Sequence, residues 1–115
     1  MKKMLVSMGI GLFVLVTVTS ARGGDDSRSN EGKRLYEQKC QLCHGVNGKG
    51  DGPAAVAFSP PPADFATSSF WKGHDQKSIA EAIQKGRGQM PAFRLTSDEV
   101  QAIIDYVSLT FKPGQ

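Results

Sequence analysis

Five consecutive residues, Cys40-Gln41-Leu42-Cys43-His44, constrain this chain more than any other stretch. They contain both of its cysteines, three positions apart, with an imidazole directly after the second. A Cys-x-x-Cys can serve as a redox-active dithiol, but such a site usually stands where a strand feeds a helix in a βαβ pattern, and no such pattern surrounds it here. A structural zinc site needs four ligands, and beyond these three the remaining nitrogen or sulfur candidate of the usual kind is His74. With three fixed residues in five, a chance match is a further alternative.

The reading that uses all three side chains at once is covalent attachment of a haem. Each cysteine sulfur adds to one vinyl group of the porphyrin, giving two thioether bonds. The histidine that follows is carried to one face of the ring, where its neutral imidazole can bind iron. Cys40 and Cys43 would then be neither a disulfide nor free thiols.

The chain has the length of one domain, and its first residues read as an export signal. Lys2 and Lys3 form a positive start. Met4 to Val18 is apolar apart from Ser7, two glycines and Thr17, and Thr19-Ser20-Ala21 offers the small residues of a cleavage site. The expected division is a signal peptide over 1–21, a disordered lead-in over 22–30 and a folded domain over 31–115. An uncleaved anchor is the rival, although the apolar run is short against the ~20 residues of a typical span. Without Lys2 and Lys3 the fourteen basic side chains become twelve against eleven acidic ones, so the basic balance belongs mostly to the leader. Nucleic acid is not implied.

Within the domain the pattern is helical. Gly32, Leu35, Tyr36 and Lys39-Cys40 recur at helical intervals from Glu31, with Ser29 or Asn30 as the expected cap. The stretch Gly45 to Pro53 carries four glycines, an Asn and an Asp and reads as a tight loop. Pro53 has a carbonyl but no donor of its own. A metal-bound histidine usually gives its second ring N–H to a carbonyl or carboxylate, so Pro53, and less strongly Asp51, is the expected partner of His44. Ala54 to Phe58 suggests a helical turn, and Ser59-Pro60-Pro61-Pro62 an extended run. Phe58, Phe65, Phe70 and Trp71 supply core, and the indole N–H of Trp71, if buried, would suit a haem propionate. Ser78 to Lys85 reads as a helix ended by Gly86. Thr96 and Glu99 have capping-box spacing before Val100, Ile103, Ile104, Val107 and Phe111. No stretch alternates as a strand does.

Haem iron has two axial positions. Met1, Met4 and Met8 lie in the leader, leaving Met90 as the methionine available for the second, in a loop with Gly86, Gly88 and Pro91. A lone methionine can instead be a gap-filler in the core, and His74 is a rival ligand. Histidine with a thioether favours ferrous iron and leaves no open position, which suits an electron carrier better than a catalyst.

Assembled, these elements resemble a small class I cytochrome c of the bacterial kind over roughly residues 31–110. The matching elements are Cys40 to His44, Gly50-Asp51-Gly52-Pro53, Met90-Pro91 and the terminal helices. The resemblance implies an all-α fold of about four short helices around one covalent haem c. The first and last helices would cross at Gly32, with Tyr36 and Tyr106 as the aromatic partners. It further implies haem loading outside the cytoplasm, a Pro53 contact to His44 and a Trp71 contact to a propionate. Similar domains occur alone, in tandem or fused to larger redox enzymes, so family membership names no partner.

The expected function is that of an exported, periplasmic one-electron carrier between redox proteins, not an enzyme, with neither nucleic acid nor a small-molecule substrate as partner. A haem subunit of a larger oxidoreductase is the alternative, and behind it a peroxidase or gas sensor with a displaceable sixth ligand. Lys39, Lys49, Lys85, Arg87 and Arg94 could rim the exposed haem edge and steer an acidic partner, or form an ordinary solvated surface.

Overall fold

The computed structural model describes Gly9 and residues 11–19 and 23–114. The expected cleavage after Ala21 and the charged start at Lys2 and Lys3 lie outside the described residues. Among those described, no helix is long and apolar enough to cross a membrane.

The described chain is helical: α1 (Gly23–Lys39), α2 (Gln41–His44), a 3-10 turn (Ala55–Ala57), α3 (Ser68–Gly73), α4 (Gln76–Lys85) and α5 (Ser97–Phe111). The apolar positions of α5 recur at three and four residues, so Val100, Ile103, Ile104 and Val107 form one stripe, and all four are buried. Leu35 and Tyr36 of α1, Ile83 of α4 and Phe65 of the loop before α3 complete the core. Burying each large side chain of this set contributes about 1.5–3 kcal/mol, which makes α5 the element on which the others are assembled.

The α1–α5 contact is set by Gly32. A Cβ there would run into the carbonyl of Ala102 and the Cβ of Tyr106, so the two backbones approach as closely as they do because position 32 has no side chain. Tyr36, one turn further on, packs its ring 5.5 Å from that of Tyr106 and 5.4 Å from that of Phe111. The expected roles of Gly32, Tyr36 and Tyr106 agree with these contacts.

Two boundaries and one short helix differ from expectation. The first helix starts at Gly23 and not near Glu31, so residues 23–30 are helical, and Ser29 and Asn30 lie within the helix instead of capping it. Once residues 31–39 are docked on α5, each preceding residue extends an existing helix without a new nucleus, and Asp25 and Asp26 in the first turn suit its positive end. Helix α4 starts at Gln76, because the Asp75 carboxylate accepts the Ser78 backbone N–H at 2.8 Å and caps it. Helix α3, holding Phe70 and Trp71, is too short to leave a periodic signature. By contrast α5 opens as expected: Thr96 Oγ1 accepts from the Glu99 N–H at 3.2 Å, and the Glu99 carboxylate accepts from the Thr96 N–H at 2.8 Å.

Candidate functional site

The Cys40 to His44 segment is a continuation of α1 folded over on itself. The Cys40 N–H still bonds the Tyr36 carbonyl at 2.9 Å, and the His44 N–H bonds the Cys40 carbonyl at 2.9 Å. Gly45, at φ 86°, then turns the chain away. A four-residue helix leaves its carbonyls without helical partners. Here the following loop supplies them: Gly45 N–H to Gln41 O at 2.9 Å, Ala54 to Leu42 at 2.9 Å, Gly52 to Cys43 at 3.1 Å and Gly50 to His44 at 2.8 Å. Gly52 can do this because a Cβ there would strike the Leu42 carbonyl. The glycine-rich loop is thus the underside of α2, and the buried Tyr36 hydroxyl secures its first residue by donating to the Gly45 carbonyl at 2.6 Å.

Both cysteines are half-buried and unpaired. Burial pushes the Cys40 thiol up to about 11. The attacking thiol of a catalytic dithiol is displaced in the opposite direction. Among the described residues, no group of three or more His, Cys, Asp or Glu is placed to hold a metal ion. His74, the fourth ligand that a zinc site would need and the rival axial ligand, has its Nδ1 2.9 Å from the Phe70 carbonyl, with its ring stacked on that of Phe70 at 4.5 Å.

His44 is held from two sides. Its ring stacks on Phe65 at 4.6 Å and 16°, and its Nδ1 lies 3.3 Å from the carbonyl of Ala63. A carbonyl only accepts, so Nδ1 carries the proton and Nε2 presents a lone pair. Burial lowers the basicity of His44, a shift the Ala63 bond partly offsets, which favours the neutral imidazole that an iron ligand requires.

This corrects the expectation for Pro53. The carbonyl facing His44 belongs to Ala63, beyond the proline run, while Pro53 and Asp51 are exposed on the loop that serves α2. The physical reason is that residues 50–54 turn their donors to the carbonyls of α2, whereas Ser59 to Pro62 brings the chain back past Gly50 and delivers Ala63 to the ring. Spacing alone hides a partner nineteen residues away. The available signal was the proline run itself, which forces an extended strand of carbonyls with few donors beside them.

The expectation for Trp71 is corrected in the same way. Its single donor, Nε1–H, goes to the Phe65 carbonyl at 2.7 Å. Trp71 therefore braces the residue that stacks on His44, with Phe70 edge-on to Phe65 at 5.0 Å from the other direction.

Met90 borders the same buried cluster as Cys40, beside Phe93 and Leu95. Its backbone pairs with Arg87 in both directions, at 3.0 and 2.9 Å, across a two-residue turn whose first central residue is Gly88 at φ 55°. The Phe93 N–H bonds the Ile83 carbonyl at 2.8 Å and fastens the far side of the loop to α4. Two thiols, a neutral imidazole with one nitrogen engaged and the other bare, and a thioether against the same apolar cluster form a donor set that fits a covalently held haem.

Comparison with known proteins agrees. Residues 27–107 match the family described as cytochrome c oxidase, cbb3-type, subunit III. The cbb3-type oxidase subunit CcoP of Azospirillum brasilense is 30% identical over 75% of the chain, and subunit FixP of Azorhizobium caulinodans is 30% identical over 79%. The chain spans only 30% of the length of each of these two. Cytochrome c-551 of Bacillus subtilis is 27% identical, over 94% of the chain and 97% of that protein. With the matched stretch running from α1 into α5 and enclosing the whole site, the chain belongs to the cytochrome c family in its cbb3-type subunit III branch, a small all-α cytochrome domain whose cofactor is covalently bound haem c.

Proposed function

We propose that the chain is an exported one-electron carrier in which Cys40 and Cys43 form the thioether bonds and His44 and Met90 are the axial ligands. Haem iron held by one imidazole and one thioether cycles between ferrous and ferric states with no change of ligands. The chain's own part is to fix the imidazole, keep water from the buried face and bring up the thioether. The observation that carries this reading is the setting of His44, with Nδ1 on the Ala63 carbonyl and its ring on Phe65, next to the cluster that Met90 also borders. Pro53 and Trp71 have no direct role toward the haem in it.

Met90→Ala tests the ligand set. The expected outcome is a low-spin spectrum turned partly high-spin and a lower reduction potential, measured by potentiometric titration with spectra in both states. An unchanged spectrum would remove Met90 as ligand. Ready binding of carbon monoxide by the ferrous wild-type protein at neutral pH would instead favour a sensor or peroxidase with a displaceable ligand.

A second reading draws on the relatives named as oxidase subunits, which it resembles over the domain described here. The chain would then serve as a haem module of a larger oxidoreductase. Purification from its native host separates the two: a carrier migrates as a free small protein, and a module elutes with oxidase activity. If Lys39, Lys49, Lys85, Arg87 and Arg94 steer a partner, the electron-transfer rate falls as ionic strength rises.

A further inference from the structure

The loop that carries Met90 has one connection that the architecture of the core does not require. At the tip of its turn, Gln89 reaches a backbone segment thirty residues away: its Oε1 accepts the Ser59 N–H at 3.3 Å and its Nε2 donates to the Ser59 carbonyl at 3.3 Å. A side-chain amide here does what a neighbouring β-strand residue would do, engaging both backbone groups of one residue. Ser59 opens the proline run that ends at Ala63, the residue whose carbonyl holds His44. Prolines lack N–H groups, so Ser59 is the last residue before the run able to present both a donor and an acceptor. Gln89 uses that position.

We infer that Gln89 is a positioning residue that latches the Met90 loop across to the segment holding His44. This inference rests on the reading that Met90 ligates the iron. On the α4 side the loop is fastened by Phe93 to Ile83, and at its neck by Arg87 to Met90, all of these backbone bonds. On the opposite side, Gln89 is the side-chain contact recorded, and both it and Ser59 are exposed. Solvent-exposed hydrogen bonds have small net strength because water competes for both partners. A latch of that kind restrains the loop without locking it. The amount of loop opening, and with it the ease of losing the thioether, is thereby adjusted by one exposed side chain in addition to these backbone bonds.

The test is binding of free imidazole to the ferric holoprotein. An external ligand binds only when the loop has swung away, so its apparent affinity scales with the open fraction. Gln89→Ala is expected to raise imidazole affinity about three- to tenfold, the worth of two exposed hydrogen bonds. Gln89→Glu keeps the acceptor for the Ser59 N–H and loses the donor, so it should fall between the two. In a Met90→Ala background, Gln89→Ala should have no effect, because no thioether remains to be displaced. Two results are separable. If Met90→Ala itself leaves imidazole affinity unchanged, the ligand assignment fails and the latch falls with it. If Met90→Ala raises the affinity but Gln89→Ala does not, the ligand assignment stands and the latch is wrong.

Discussion

The two sides of the site are built from different materials. The Cys40 to His44 side is held by buried contacts: the Gly32 crossing, the Tyr36 hydroxyl on Gly45, four backbone bonds into the carbonyls of α2, and Phe65 against the His44 ring. The Met90 side is a short turn closed by backbone bonds and an exposed amide. The first is as firm as the core, because loosening it means unfolding α1 from α5. The second can open with the core intact. If His44 and Met90 are the axial ligands, as proposed, one axial bond is held as firmly as the core and the other is adjustable.

Substitutions at the crossing should therefore destabilise the protein, while those on the loop should leave its stability nearly unchanged. The largest effect is expected at Gly32→Val, whose side chain must enter space filled by the Ala102 backbone. Chemical denaturation should show a loss of about 3 kcal/mol or more. Tyr36→Phe comes next. It removes one of the two hydrogen bonds to the buried Gly45 carbonyl, which keeps the Gly48 N–H at 3.2 Å, at a cost of about 0.5–1.5 kcal/mol by the same measurement, and the Cys40 to His44 segment should show faster amide exchange.

The same hydroxyl gives a pH signature. Burial chiefly, with Tyr106 and Asp51 adding to it, raises the Tyr36 phenol above its ordinary range near pH 10. A group whose pKa is raised on folding contributes stability that is complete below the unfolded value and lost as pH rises beyond it. The wild-type advantage over Tyr36→Phe should accordingly be flat to about pH 10 and shrink above it. A difference that shrank on acidification would contradict the assignment.

Smaller changes refine the contrast. Thr96→Ala removes one half of the cap of α5 and should cost about 1 kcal/mol, because α5 carries the core. Arg87→Ala, on the loop, should change neither the denaturation midpoint nor the haem spectrum, since its bonds to Met90 come from the backbone. A spectral change there would mean that the Arg87 side chain also holds the loop.

How much of this was legible in the sequence follows the same division. Helix α5, its capping box and the all-α class were readable because each has a local or periodic signature, whereas the crossing role of Gly32 came with the resemblance to cytochromes c. The partner of His44 was not, because Pro53 satisfied every local criterion and the choice of Ala63 depends on where a proline run returns in space. Trp71 was misread for a related reason: its need for an acceptor was visible, but the Phe65 carbonyl that meets it is placed by tertiary structure. The helical state of residues 23–30 was missed because an exposed polar stretch carries no burial pattern and is helical here as the extension of a docked neighbour. The donor set was read from the spacing of Cys40, Cys43 and His44 and from Met90 as the methionine outside the leader. The Gln89 connection had no signature at all, since an exposed glutamine in a turn is unremarked by periodicity or spacing.

Phe111 closes α5 against both Tyr36 and Gly48: its ring lies 5.4 Å from Tyr36, and a Cβ at Gly48 would meet it at 2.7 Å. The final turn of α5 is thus part of the wall behind the Cys40 to His44 segment. In a chain made from its N-terminus, Cys40 and Cys43 emerge more than sixty residues ahead of that wall. The two thiols stay uncovered throughout that interval, and the covering of the segment waits until synthesis has reached Phe111.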